Sequence, residues 1–400
     1  MILEQSQSEN DVISVDSKIM EPEITVSKTI NPAVEEYNND SIILETNEQT
    51  LNSSIYDVIA AELLLDHHID EANVKKQIDW LLKNPDYLTR VIEKSSPYIH
   101  YVYARIKESG LPIEITLLPI IESAYDPLAY SQSHASGLWQ FIPSTAAYLG
   151  LERNIWFDAR RDIVKSTEVA INYLSYLNQK FGNDWSLTLA SYNGGEGTVA
   201  KSIKKNLEFG KDPNFWHLSL PLETENYVPK FFALAHVLKN RKEFNLEIPE
   251  IPNQRVFEVI ALENQIEIET IVEVSGIDYK TFTKFNPGYR RSITPPDDIS
   301  NILIPIESAS KLTQFINTED PENWLPFSEY EIKFGDTLSE IALDHDSSVD
   351  LIKTINYLNT DLLRVGQILK VPHNRGTPVI HKRSVTCLLY TSDAADETCR

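Results

Sequence analysis

The chain repeats itself at a constant offset. Ile271, Phe282, Phe285 and Asn286 of "IETIVEVSGIDYKTFTKFNPG" recur seventy residues later as Ile341, Ile352, Ile355 and Asn356 of "LSEIALDHDSSVDLIKTINYLN". Each copy is closed by apolar residues and a proline, Leu303-Ile304-Pro305 and Leu369-Lys370-Val371-Pro372. A repeat of this length means that each copy is one small supersecondary unit, so the C-terminal part cannot be one continuous core. The strand-like alternation Val256-Phe257-Glu258-Val259-Ile260 opens the first copy, which is the more degenerate of the two.

Upstream the period changes to that of helices. Ile59, Leu63 and Leu64, then Ile78, Leu81 and Leu82, then Val102 and Ile106 carry it up to Gly110-Leu111-Pro112. Further on, Val169, Tyr173, Leu177 and Phe181 repeat every four residues behind Ser166-Thr167-Glu168, with Gly182 as a stop. A mostly α domain is expected up to about residue 250. Residues 1–55 differ again: eleven acidic residues face only Lys18 and Lys28, with no periodicity, as in a disordered acidic leader.

Within the helical part, "LPIIESAYDPLAYSQSHASGLWQFIP" places one carboxylate, Glu122, among Leu118, Ile120, Ile121 and Tyr125. Apolar surroundings disfavour the ionised form, so such a Glu is paired, turned outward, or kept protonated to act as an acid. Asp126 is four residues on and could share its helix face, but Pro127 disfavours the α region there. Asp126 therefore reads as a turn residue and only a weak second carboxylate.

Four segments occur in order: "ESAYDPLAYS", "GLWQFIP", "SYNGGEG" and "ETENYVPK". Together they resemble the signature motifs of lytic murein transglycosylases of the lysozyme-like SLT superfamily. "YEIKFGDTLSEIALDHDSSVDLIKTINYLNTDLLRVGQILKVP" resembles a lysin motif (LysM), and the order of the parts is similar to that of D-type membrane-bound transglycosylases. The fold implied is a mostly α, lysozyme-like catalytic domain followed by small α+β LysM-like modules. Between the leader over 1–55, read from its composition, and a tail over 374–400 that relates to nothing before it and is suspected to be non-native, the resemblance implies a catalytic domain with N-terminal helices over 56–250, a degenerate module over 251–306, a linker over 307–328 and a LysM over 329–373.

Carried over residue by residue, the resemblance makes Glu122 the only catalytic acid. It would cleave the β-1,4 bond between N-acetylmuramic acid and N-acetylglucosamine, leaving a 1,6-anhydromuramyl end; a muramidase of the same fold or a silent peptidoglycan-binding protein are the alternatives. Ser131 would touch substrate, or serve as a cap or turn serine. Gln140 would line the groove, with Gly137 allowing close backbone approach. Trp139 reads as core, and Phe141 and Ile142 as core or groove wall. Tyr192 and Asn193 would reach the sugar, Tyr192 as a partner of the acid or of the N-acetyl group. Glu223 and Tyr227 would stand behind the site, Glu223 as a buried hydrogen-bond acceptor. Ser191, Glu225 and His134 depart from the residues common in the family at those places.

In the LysM, the resemblance implies a two-strand, two-helix fold in which Gly335, Asp336, Thr337, Leu338 and Asn356 form a shallow glycan groove. No cofactor is expected. Asp66-His67-His68 with Asp70 has the residue types of a metal site, but adjacent histidines on a helix diverge.

Net charge is −23, which excludes a typical nucleic-acid binder, since phosphates are contacted through Lys and Arg. Peptidoglycan strands would instead be held by hydrogen bonds and stacking. Both cysteines, Cys387 and Cys399, lie in the tail, so the body has neither a disulfide framework nor a Cys-based zinc site. The N-terminal residues lack a basic start and apolar core, and no apolar run is long enough to span a bilayer. The substrate implied lies outside the cytoplasmic membrane. An envelope location, with an export signal or membrane anchor missing from this sequence, is therefore expected.

Overall fold

The computed structural model describes residues 53–372, apart from 296–299, 322–323, 326 and 346. The expected leader, up to residue 52, and the tail lie outside the described residues.

The N-terminal half is helical: α1 (Ile55–Glu62), α2 (Ala72–Lys83), α3 (Pro85–Ser95), α4 (Ile99–Ser109), α5 (Leu118–Ser123), α6 (Pro143–Tyr148), α7 (Ile163–Lys180), α8 (Trp185–Gly194), α9 (Glu196–Glu208) and α10 (Leu222–Lys239). Its centre is α10, which packs against α2, α8 and α1 and buries Tyr227, Val228, Phe231, Phe232, Leu234 and Leu238. Leu63, at the end of α1, is buried, whereas Leu64 beside it is exposed.

α7 begins four residues earlier than a cap at Ser166 would place it. Asp162 caps it by accepting the Lys165 N–H at 2.7 Å. The buried stripe is Ile163, Thr167, Ala170, Ile171, Leu174 and Leu177, while Val169 and Tyr173 are only half-buried. Thr167 can face inward because its hydroxyl donates to Ile163 O at 2.7 Å, so no polar hydrogen is left unpaired.

Two α+β units follow. In the first, β1 (Phe257–Leu262), α11 (Ile268–Ser275), α12 (Tyr279–Phe285) and β2 (Ser300–Pro305) form an antiparallel pair with Phe257 opposite Pro305 and Leu262 opposite Ser300. In the second, β3 (Phe327–Glu331), α14 (Leu338–Asp344), α15 (Val349–Ile355) and β4 (Ile368–Pro372) repeat the arrangement, with Phe327 opposite Pro372. Residues 307–328, expected as a linker, are largely part of the first unit. Helix α13 (Ile306–Thr318) contributes Ala309 and Leu312, and Trp324 follows, all to the core formed by Leu262, Ile271, Phe282 and Ile302. The apolar spacing of α13 is what a linker would lack.

Candidate active site

Glu122 lies in the last turn of α5, a six-residue helix. The chain leaves that helix through two consecutive left-handed residues, Ala124 (φ 51°) and Tyr125 (φ 55°), an unfavourable conformation for side chains with a Cβ. Three bonds hold it: Ala124 N–H to Ile120 O and Tyr125 N–H to Pro119 O, both 3.1 Å, and the Tyr125 hydroxyl to Thr116 O at 2.8 Å. The Tyr125 ring is buried, so the sharp stop after Glu122 is anchored in the core. Asp126 then acts as a turn residue. Its Oδ1 accepts the Leu128 N–H at 2.9 Å, and Oδ2 lies 4.0 Å from Lys94 Nζ.

Glu122 as a whole is half-buried. Burial raises its pKa from 4.5 to about 8; a hydrogen bond from the Tyr227 hydroxyl to Oε1 opposes the rise, and the Glu223 charge adds to it. Glu114, fully buried on the short 3-10 turn before α5, shows the opposite balance. Burial raises its pKa too, but His67, 3.6 Å away, and the Leu65 N–H, which donates to Oε1 at 2.7 Å, bring it below its ordinary value. Their surroundings thus push the two carboxyls in opposite directions, Glu122 toward the acid and Glu114 toward the carboxylate.

Facing α5 is the turn Gly137–Gln140. Ser123, next to the acid, donates to Leu138 O at 2.9 Å, and the Tyr192 hydroxyl on α8 donates to Trp139 O at 2.8 Å. Tyr192 therefore supports the turn, and the hydroxyl that reaches Glu122 belongs to Tyr227. Position in the sequence does not distinguish the two tyrosines, because each reaches the site from a different helix. Trp139 is a core residue, with its indole N–H on Thr167 Oγ1 at 3.0 Å. Phe141 is buried and Ile142 exposed.

Gln140 adopts φ 50°, and its Nε2 donates to Gly137 O at 2.7 Å. Its Oε1 takes no hydrogen bond among the described residues. The Ser131 hydroxyl accepts the Ala135 N–H at 3.0 Å, as a turn serine does. Asn193 ends α8 with Oδ1 accepting from Thr224 Oγ1 at 2.8 Å and Nδ2 3.5 Å from Glu223 Oε1. Glu223 is exposed and not buried as expected, because it lies in the solvent-facing first turn of α10. Glu225 accepts the Leu220 N–H at 3.1 Å, which satisfies an amide near the start of α10.

One feature has little sequence signal: the buried pair Asp158–Arg160, whose guanidinium donates to His134 O at 2.7 Å and Phe141 O at 3.3 Å, bracketing the turn. The run "FDARRD" was its only trace. His67 and His68 lie between α1 and α2, not on a helix. His67 faces Glu114, and His68 packs against Trp216 and Phe232, so the two diverge for reasons of packing. Among the described residues no group of three His, Cys, Asp or Glu is arranged to hold a metal.

In the second α+β unit Gly335 has φ 97°, and Asp336 Oδ2 accepts the Lys333 N–H at 2.7 Å and the Tyr330 hydroxyl at 2.9 Å. Thr337 caps α14 by accepting the Glu340 N–H at 3.2 Å, Leu338 is buried, and Asn356 bonds to Lys370 across to β4. These groups build the loops. Phe334 and Tyr357 beside them are exposed.

The transglycosylase SLT domain family matches residues 102–215, the LysM-like domain family of lytic transglycosylase MltD matches 256–320, and the LysM domain family matches 330–372. The chain is 36% identical over 308 residues to the membrane-bound lytic murein transglycosylase D of Escherichia coli (strain K12), covering 74% of this chain and 68% of that protein. Among solved structures, the 70 kDa soluble lytic transglycosylase of Escherichia coli aligns at 20% identity and a TM-score of 0.32, over 45% of this chain and 31% of that one. The lytic transglycosylase Slt of Pseudomonas aeruginosa aligns at 22% identity and a TM-score of 0.30, over 49% and 33%.

Proposed function

Starting from a chain that belongs to the lytic murein transglycosylases, enzymes that cleave peptidoglycan, we propose that Glu122 carries out the whole reaction as a single acid and base. The observation that carries this reading is the Glu122 carboxyl at the end of α5 with the Tyr227 hydroxyl on its Oε1, where burial raises its pKa to about 8 and so favours the acid near neutral pH. In the first half, Glu122 gives its proton to the oxygen linking N-acetylmuramic acid to N-acetylglucosamine as the C1–O bond breaks. In the second half, the Glu122 carboxylate removes the proton from the muramyl C6 hydroxyl, whose oxygen bonds to C1. The acid is restored, no water is consumed, and a 1,6-anhydromuramyl end results.

The ring closure is intramolecular, so it has the high effective concentration of a tethered nucleophile. The Tyr227 hydroxyl favours the carboxylate that exists between the two halves. Gln140 Oε1, Asn193 and Ser131 are the polar groups offered to the sugar. In this reading Asp126, whose Oδ1 accepts the Leu128 N–H, serves as a turn residue and not as the partner carboxylate of a two-carboxylate hydrolase. The catalytic domain extends over about 56–250 and the LysM over 329–373, with Gly335, Asp336, Thr337, Leu338 and Asn356 shaping its glycan groove. The working compartment is the cell envelope, where the substrate lies; no described helix is long and apolar enough to cross a membrane.

The test is mass spectrometry of the products released from purified peptidoglycan by the chain and by Glu122→Gln. Anhydromuramyl products that disappear in the variant are expected. Reducing muramyl ends would replace this reading with hydrolysis by the same fold, and undiminished release by the variant would remove Glu122 from the mechanism.

A further inference from the structure

We infer that the first LysM-like unit is a positioning element of the active site, acting through Gly288 and Asp158 on the turn that carries Gln140. The inference rests on the reading of Glu122 and Gln140 given above.

The unit is bonded to the catalytic domain backbone to backbone. The Asp158 N–H donates to Gly288 O at 2.9 Å, and the Arg290 N–H donates to Trp156 O at 2.8 Å. Phe157 and Tyr289 pair as an isolated antiparallel bridge, their rings 4.9 Å apart. The Arg291 Nε adds a bond to Ile155 O at 3.3 Å. α4 gives a second attachment: the Tyr98 hydroxyl donates to Lys284 O at 2.8 Å, and the Tyr101 ring lies 5.5 Å from that of Phe257. The fit at Gly288 is close. A Cβ there would lie 2.7 Å from the Phe157 ring and 3.2 Å from Asp158 O, so a side chain at 288 would have to displace the Phe157 ring or the Asp158 backbone.

Asp158 passes this contact inward, because the residue bonded to the unit also grips Arg160. Asp158 Oδ1 accepts from Arg160 Nε at 2.9 Å and Oδ2 from Nη2 at 2.8 Å. Arg160 is 1% exposed, and its remaining donors hold the carbonyls of His134 and Phe141 on either side of the Gly137–Gln140 turn. Gly137 lies directly on Arg160: a Cβ at 137 would be 1.9 Å from Arg160 O. Arg161 Nε donates to Ser136 Oγ at 2.9 Å. The turn in turn holds Ser123, the neighbour of Glu122, through Leu138 O. The chain of contacts from Gly288 to the turn runs through a buried ion pair, which is costly to displace, and this is the route by which the unit would act on the turn. A unit that served only to bind glycan at a distance would need none of these contacts.

The experiment compares the full chain with Gly288→Ala, with Gly288→Val and with Gly288→Ala combined with Phe157→Leu, on soluble uncross-linked glycan strands, with circular dichroism and melting curves for each. The single variant drives a methyl group into Phe157, and the second change makes room for it while the Asp158 N–H bond is kept. We expect kcat to fall by about tenfold or more in the single variant, KM to change by less than about twofold, and the double variant to recover most of the loss, since a displacement of about an ångström at a site is enough for such an effect. Unchanged kcat in Gly288→Ala and in Gly288→Val would overturn the inference. So would a rise in KM alone, which would make the unit a substrate-binding module, or a loss that follows melting and is not recovered. Glu122→Gln in the same assay tests the acid independently: activity there would sink the reading of Glu122 without altering the comparison at Gly288.

Discussion

Tyr227 donates its hydroxyl hydrogen to Oε1 of Glu122 across 105 residues of chain, so the side chain that steadies the acid comes from α10 and not from its own helix. The bond favours the carboxylate against a burial that disfavours it, and with the Glu223 charge adding to the rise the pKa comes to about 8. Removing the hydroxyl in Tyr227→Phe leaves burial unopposed. A hydrogen bond to a charged group contributes about 1.5–3 kcal/mol, so the alkaline limb of kcat/KM should move up by about one to two pH units. Turnover should fall as well, because the carboxylate needed for the second proton transfer is less favoured. A limb that stays in place would show that Tyr227 does not act on Glu122.

The same burial predicts a stability difference. The unfolded chain has an ordinary Glu near 4.5 and the folded chain one near 8, so between these values the folded state binds more protons and loses stability as pH rises. Glu122→Gln carries no such penalty. Its melting temperature relative to the parent chain should increase from about pH 5 to about pH 8 and level off above. A difference that is constant with pH would show that the Glu122 pKa is the same in the folded and unfolded states.

Much of this site is legible in the sequence, for local reasons. Glu122 stands out because its apolar neighbours are adjacent in the chain, and the turn after it because Gly137 and Asp126-Pro127 carry turn chemistry. Asn286 and Asn356 are visible because the repeat fixes their offset. What is not visible depends on contacts between distant segments. The choice of Tyr227 over Tyr192, the outward position of Glu223 and the Asp158–Arg160 clamp are set by where α8, α10 and residues 152–162 meet. Helix α13 has the apolar spacing of a packed helix, yet it lies just after the repeat closes and reads as a linker for that reason alone.

The Ser191 hydroxyl is buried and has no hydrogen-bond partner among the described residues. An unpaired buried hydroxyl costs about 1–3 kcal/mol. Ser191→Ala should therefore leave the protein as stable or more stable, by up to about 1–2 kcal/mol after the small change in packing, with activity intact. Denaturation curves of the two proteins check it. A marked loss of stability would mean that the hydroxyl has a partner, such as a buried water.

Asn286 and Asn356 serve the two repeats in the same way, and this separates structural from binding roles in the LysM. Asn286 Nδ2 donates to Phe282 O at 3.2 Å and Leu303 O at 2.8 Å, while its Oδ1 accepts the Leu303 N–H at 2.8 Å. Asn356 Nδ2 donates to Ile352 O at 2.8 Å and Lys370 O at 2.7 Å, and its Oδ1 accepts the Lys370 N–H at 2.7 Å. Each asparagine ends a helix and latches it to the closing strand. Asn286 and its partner strand are buried, so Asn286→Ala strands a buried N–H and C=O and should cost about 3 kcal/mol. Asn356 is part-exposed, water can replace its bonds, and Asn356→Ala should cost about 1 kcal/mol. Hydrogen exchange at the Leu303 and Lys370 amides reads each latch separately, with protection lost at the first more than at the second. If Asn356→Ala abolishes pelleting with peptidoglycan while Lys370 keeps its protection, Asn356 touches glycan directly, and its role as a latch is not the one that binding depends on.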